Sequence, residues 1–494
     1  MPEVIEAYGD VKIMRDEEST LPLYIVLSPK FSKNETSVVE RPKALISNYR
    51  EIIKELESFR TSEEKEAFLI EYVKKQLKEK GISSDNMDRI VTVIIDDVFL
   101  GYGRIGPLMR DEHLEEIMVN GVGIPAFVVH RKYGMCMTNI QYDSQDTLYE
   151  LINWLSNYSG RKIDYGTPLL DAHMPDGSRA NVAVSPAAPN GPSVTIRKFK
   201  KVPFNIIDLI KLKTLSVDLA AFLWLCVEGM GIQPCNILVA GGSGSGKTTM
   251  LNALAMFVPH NERIVTVEDT LELNFEFLEN WVAMEANPSV LGKTRINSEA
   301  LVENTLRMRP DRVIVGEVRG GEAYTLLVAM DIGLDGSMCT IHANTARDST
   351  LRLMDEPMNI PIRMIPLIDV VLVMNRHFSR STGVIRRVTE VAEIAGIEKD
   401  VVQLGDIYKW KSKEDDVART EYPILLKERI SERCSMSKKQ LNAELFLREK
   451  VLEYMVKKNI GDTGRVIEMM HRYITNPKAV LSKINPKLVR YLKR

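Results

Sequence analysis

Gly241-Gly-Ser-Gly-Ser-Gly-Lys-Thr-Thr249 follows a short apolar run, Ile237 to Ala240, and opens a helical pattern through Leu251 and Leu254. The spacing is G-x-x-x-x-G-K-[ST] from Gly241 to Thr248, set between a strand and a helix as a phosphate-binding loop requires. Gly242, Ser243, Gly244, Ser245 and Gly246 let backbone N–H groups turn toward an anion without Cβ clashes. The helix that follows, starting near Thr249, turns its positive end to the same charge. Lys247 has the length to reach β- and γ-phosphates, and the Thr248 hydroxyl suits Mg²⁺. The ligands this loop calls for are a nucleoside triphosphate and Mg²⁺.

Three further segments narrow the chemistry. Ile264 to Glu268-Asp269 puts acids at the end of an apolar strand. Arg307-Met-Arg-Pro-Asp-Arg-Val-Ile-Val-Gly-Glu317-Val-Arg319 repeats the arrangement, with Glu317 just past a strand. In Gly333 to Asn344 a third strand end carries His342. Phosphoryl transfer to water needs the leaving phosphates neutralised and a carboxylate to hold the attacking water. Lys247 and Mg²⁺ answer the first need. Glu268 and Glu317 are the candidates for the second, and with Thr248 they are also the candidates for the metal shell. The residues alone leave open which acid does which. His342 is a candidate to orient or sense the γ-phosphate.

These residues need a sheet whose strand ends gather at one edge. From residue 206 the pattern is βαβ, with strands predicted at Ile237–Ala240, Ile264–Val267, Val313–Val315, Met338–Ile341 and Val370–Val373 and helices between several of them, the signature of a parallel sheet. Residues 101–205 carry short apolar pieces and one helix, Leu148 to Tyr158, and read as an α+β domain holding two notable arginines, Arg179 and Arg197. Residues 41–100 show i, i+3, i+4 apolar spacing and read as a helical layer, with Thr61 and Glu64 as a capping box and Ser84 with Asp85 capping a later helix. Residues 1–40 hold one strand, near Leu23, and a loop from Lys30 to Val39. Pro203 to Leu215 reads as linker and hinge, and Lys411 to Thr420 as a polar loop. The parallel-sheet domain that carries the loop is placed at 206–430 and a helical extension at 431–494. Pro477 to Arg494 has six basic residues and no acidic one. That makes it a solvated tail or a docking surface for an acidic partner or anionic lipid.

Composition excludes several classes. The formal net charge of −2 gives no global electrostatic case for nucleic acid. Cys136, Cys226, Cys235, Cys339 and Cys434 form no C-x-x-C pair, which favours a reducing compartment over a disulfide framework or zinc knuckle. The first residues lack an apolar signal-peptide core, and no apolar run is long enough for a membrane span. Any membrane role is expected to be peripheral.

With these motifs in hand, the chain resembles the secretion ATPases that power type II and type IV secretion, type IV pili and the archaellum. Gly241–Thr249 resembles their Walker A loop, Val267-Glu-Asp269 their acidic box, Gly316-Glu317-Val-Arg319 their atypical Walker B segment and Ser337–Asn344 their histidine box. Glu116–Gly121, Asp171–Asn181 and Thr195–Phe199 agree on the N-terminal side, so the likeness covers residues 100–410. It is nearest the tight-adherence pilus branch, with flanking helices like those of archaeal members. The resemblance implies a RecA-like domain and an α+β domain in a homohexamer at the cytoplasmic face of the cell membrane, working on an integral membrane platform protein. It also implies that Arg179 and Arg197 reach the nucleotide, and that Arg319 is a further charge neutraliser. A nucleic-acid-translocating motor on the same RecA-like core is the alternative reading.

Overall fold

The computed structural model describes residues 3–15, 19–27, 31–40, 42–46, 48–56, 58–59, 62–82, 85–199, 203–286, 296–379 and 383–493. Its contacts divide the chain into two units, Met1–Lys200 and Lys201–Arg494.

The first unit is built on one nine-stranded sheet. Its strands are β1 (Glu3–Tyr8), β2 (Val11–Arg15), β3 (Leu23–Val26), β4 (Leu114–Val119), β5 (Pro125–His130), β6 (Gly134–Gln141), β7 (Leu169–His173), β8 (Arg179–Ala183) and β9 (Ser193–Arg197), in the order β1-β2-β3-β6-β5-β4-β9-β8-β7. Apolar residues alternate along the central strands, so Leu114, Ile117 and Val119 bury while their neighbours are less covered. The N-terminal stretch is not a segment apart. β3 pairs parallel with β6, and the buried Tyr24 hydroxyl donates to Asp111, which also accepts from Tyr8 at 2.7 Å. The stretch expected to be a loop contains the helix Lys33–Val39, because Ser32 and Glu35 close a reciprocal capping box. The helical layer has its own core, including Val73, Leu77, Ile90 and Ile94. Thr61 and Ser84, expected caps in this layer, lie outside the described residues.

The second unit carries the expected parallel sheet. β10 (Ile237–Gly241), β11 (Ile264–Glu268), β12 (Trp281–Glu285), β13 (Arg312–Val315), β14 (Met338–Ile341) and β15 (Val370–Ser379) run in the order β12-β11-β13-β14-β10-β15. All of these pairings are parallel. β10, β11, β13 and β14 are buried at every residue, as strands covered on both faces must be. The chain leaves β10, crosses to β11, returns through β13 and β14 to β10's flank, and resumes at β15 on its other side. This is RecA-like connectivity, and it sets the ends of β10, β11, β13 and β14 along one sheet edge.

Three antiparallel strands extend the sheet: β16 (Gly383–Glu398), β17 (Val401–Lys411) and β18 (Asp416–Arg419). The stretch expected to be a polar loop, Lys411 to Thr420, is therefore a hairpin turn and an edge strand. Asp415 takes φ 48° at its turn. Its carboxylate accepts from the buried Arg387 at 2.7 and 2.9 Å and from Trp410 Nε1 at 3.3 Å, which fixes the turn in place.

The C-terminal helices, among them Lys438–Lys457 and Thr463–Thr475, share one core with the helix that follows the glycine loop. Val451, Met455 and Met470 belong to the same buried cluster as Leu254 and Phe257. The passage expected to hinge is also packed. Asn205 caps the helix Ile206–Lys211 and donates to the Gly461 carbonyl at 2.9 Å, and Ile206, Ile207, Leu209 and Leu215 are buried. The basic C-terminal stretch is helical rather than loose. Val480, Leu481 and Leu488 bury, while Lys478, Lys483, Lys487 and Arg490 stay exposed. Among the described residues no helix is long and apolar enough to cross a membrane.

Candidate functional site

β10 ends at Gly241, and the Lys247–Ala255 helix begins after the loop. Gly244 at φ 66° and Gly246 at φ 98° hold the left-handed backbone that an L side chain rarely takes. Lys247 Nζ donates to the Gly241 and Gly242 carbonyls at 3.0 and 3.2 Å, so its charge lies across the loop mouth. Ser245 is buried, and its hydroxyl has no hydrogen-bond partner among the described residues. A positive-φ cradle, a cation at its mouth and a buried donor left over fit a polyphosphate.

The fit extends to Mg²⁺ through a residue the sequence reading passed over. Thr248 Oγ1 donates at 3.0 Å to Glu272 Oε2. A hydroxyl beside a carboxylate is the hard-oxygen pairing Mg²⁺ takes. Glu272 lies in the turn after β11, four residues beyond Glu268, and sequence spacing gives no sign that this turn folds back onto Thr248.

Glu268 is placed differently. It is buried at the end of β11, and its carboxylate accepts from the backbone N–H of Glu272 at 3.0 Å and of Leu273 at 3.1 Å. It thus shapes the turn that brings Glu272 to Thr248. Gly316 lies against it; a Cβ there would come within 2.8 Å of Glu268 Cγ. Burial outweighs the two N–H bonds and pushes the Glu268 carboxyl up to about 8. A carboxyl raised on folding holds its proton longer in the folded state, so its contribution is fully present below the usual carboxyl range and is lost as pH rises through 8. Glu268→Gln is therefore expected to flatten the fall in stability between pH 5 and 8, read from denaturation midpoints across that range. An unchanged slope would show that Glu268 is not the group responsible.

Glu317 follows β13 and is partly exposed. Arg319 Nη2 donates to Glu317 Oε2 at 2.5 Å and Nη1 lies 3.6 Å from Asp269 Oδ2, so one guanidinium bridges acids after β13 and β11. His342 follows β14, with an exposed side chain and its carbonyl accepting from Arg352 at 2.7 Å. Its neighbour Asn344 is the residue set against the loop, with Oδ1 3.7 Å from where a Gly242 Cβ would stand. The structure thus groups Gly242–Thr249, Glu268 and Glu272 through direct contacts, and joins Glu317 to Asp269 through Arg319. Arg179 and Arg197 belong to the first unit, where they are exposed cross-strand partners on β8 and β9; Arg179 also lies 3.7 Å from Asp171.

A glycine loop on an interior strand of a RecA-like sheet, with lysine, threonine and strand-end acids around it, defines a P-loop nucleotide-binding protein. Residues 102–391 match the family described as Type II/IV secretion system protein, and the chain belongs to that family of secretion ATPases. It is similar to the uncharacterized protein MJ0900 of Methanocaldococcus jannaschii, 33% identical over 398 residues, covering 79% of this chain and 70% of that one. MJ0781 of the same organism is 48% identical over 246 residues, 49% of this chain, and the match spans only 34% of MJ0781. The type IV secretion system protein VirB11 of Bartonella henselae is 30% identical over 281 residues, 49% of this chain and 76% of that one.

Proposed function

We propose that this chain is a Mg²⁺-dependent ATPase motor. It works as a homohexameric ring at the cytoplasmic face of a membrane, on an integral platform protein, and drives assembly of a pilus- or archaellum-type filament or protein secretion. The observation that carries the reading is the Thr248–Glu272 pair beside Lys247, with Glu317 on a neighbouring strand end. The likeness to a relative named as a type IV secretion protein supports the secretion side of it.

In this reading Lys247 exchanges its two loop carbonyls for phosphate oxygens. Thr248 and Glu272 are the residues that would hold Mg²⁺, which when bound neutralises phosphate charge. Glu317 takes the proton from the attacking water. It is favoured over Glu268 because it is partly exposed, whereas Glu268 is committed to two backbone N–H groups. Asn344 orients groups at the loop, with His342 beside it.

The Arg179–Arg197 pair is assigned to neutralising nucleotide charge in the assembled ring. Arg179→Ala is expected to slow turnover at saturating ATP by about tenfold or more while leaving the melting temperature unchanged. A full rate would remove Arg179 from the mechanism. The exposed Lys478, Lys483, Lys487 and Arg490 supply a basic surface suited to acidic lipid. Native mass spectrometry with ATP tests the assembly: a hexamer of the 55.9 kDa chain is expected, and a monomer under every nucleotide condition would overturn the ring.

A further inference from the structure

β15 does more than complete the sheet. It pairs parallel with β10 from Ile237↔Val370 to Gly241↔Met374. There β10 stops and becomes the glycine loop, but β15 continues to Ser379, paired antiparallel with β16 as far as Ser379↔Gly383. The overrunning hairpin therefore lies alongside the phosphate cradle. Met374 and Arg376, two apart on β15, share a face, and Arg386 is the direct cross-strand partner of Arg376.

All three residues meet the loop. Arg386 Nε donates to the Gly244 carbonyl at 2.9 Å. A Cβ placed on Gly244 would lie 3.2 Å from Arg376 Nη1, and one placed on Gly246 would lie 3.4 Å from Met374 Cε and 3.5 Å from Arg386 Cδ. The hairpin therefore sets two guanidiniums, on facing strands, at the anion cradle.

We propose that Arg376 binds the polyphosphate of the nucleotide directly and that Arg386 is the positioning residue that holds the loop for it. The Gly244 carbonyl and the Ser245 N–H belong to one peptide plane and point in opposite directions. By fixing the carbonyl, Arg386 fixes that peptide plane, whose N–H donates to the Gly242 carbonyl at 3.3 Å and so holds the turn of the loop. Arg376 is exposed, sits at the same glycine and carries the fork of donors that matches phosphate oxygens. The ligand class is a nucleoside di- or triphosphate recognised through its phosphates, not its base. The proposal rests on the ATPase reading and adds a second cationic element to it, on the side of the loop opposite the strand-end acids in the sheet order.

Calorimetric titration of ATP, GTP and inorganic tripolyphosphate into wild type and four variants tests it. Arg376→Ala is expected to weaken ATP and tripolyphosphate alike by about tenfold, and Arg376→Lys to recover part of the loss, since it keeps the charge but not the fork of donors. Arg386→Ala and Arg386→Lys are both expected to weaken binding and to raise KM more than they lower kcat, since lysine cannot reproduce the Nε donor. Melting temperatures confirm folding, and if Arg386→Ala unfolds, the two exposed Arg376 variants still decide. Unchanged tripolyphosphate binding in Arg376→Ala would overturn the proposal, whether ATP binding is also unchanged or only the preference for ATP over GTP is lost. Wild type that binds neither ATP nor tripolyphosphate would overturn the ATPase reading beneath it.

Discussion

Lys247→Ala is expected to abolish ATP turnover and to cost little stability. The ammonium donates to the Gly241 and Gly242 carbonyls at the loop mouth and is not part of the apolar core that packs the sheet and helices. Its removal takes one hydrogen bond from the buried Gly241 carbonyl and one from the half-buried Gly242 carbonyl beside the loop mouth, so the unfolding free energy should fall by no more than about 2 kcal/mol. The transition state loses far more. Negative charge gathers on the leaving phosphates in a site where a fixed cation is worth far more than in water. A loss of about a thousandfold or more in kcat is expected, measured by phosphate release. Near-normal turnover would mean that the loop is not the seat of catalysis.

The second large effect lies in the core. Arg448 sits fully buried on the Lys438–Lys457 helix. It donates to Glu228 at 2.6 Å and to Glu444 at 3.0 Å, and its guanidinium lies 4.9 Å from the centre of the Trp224 ring. Tyr473 donates to Glu444 at 3.0 Å, which brings the Thr463–Thr475 helix into the same network. Arg448→Ala leaves Glu228 as a charge in the interior with its partner gone and opens a void beside Trp224. Breaking a buried pair in this way costs about 3–5 kcal/mol. Chemical denaturation should show that loss, and Arg448→Met with Glu228→Gln should recover part of it, because Glu228 no longer carries a buried charge and the void beside Trp224 is refilled, while Glu444 keeps the Tyr473 hydroxyl. A single-variant loss below about 1 kcal/mol would show that the C-terminal helices are not held through this network. The consequence for function is direct: the extension shares its core with the loop helix, so it cannot be removed without disturbing the site.

Legibility in the sequence followed burial. β10, β11, β13 and β14 are covered on both faces, so their sequences are mostly apolar, broken only by residues such as Thr266 and Thr340, and each expected strand lies within the one observed. β16 to β18 escaped notice because they are antiparallel and carry charges through their length, and because Asp415 makes the turn with a left-handed backbone that sequence does not announce. β1 and β2 are half-exposed and just as mixed. The loop itself was legible because its chemistry demands particular residues at fixed spacing. Glu272, Asn344, Arg376 and Arg386 were not. Glu272 reaches Thr248 only because Glu268 closes the turn after β11. The two arginines reach Gly244 only because a hairpin outruns the strand beside it.

One paired measurement decides whether the Gly241–Thr249 loop, with Glu317 as base, is the seat of hydrolysis. ATP binding and ATP hydrolysis are measured on wild type and on Glu317→Gln in the same Mg²⁺ buffer. Wild type is expected to hydrolyse ATP, and the variant to bind it with similar affinity while turning over about a hundredfold to ten-thousandfold more slowly. Wild type that binds ATP without hydrolysing it, or a variant that hydrolyses it at the wild-type rate, would contradict the assignment.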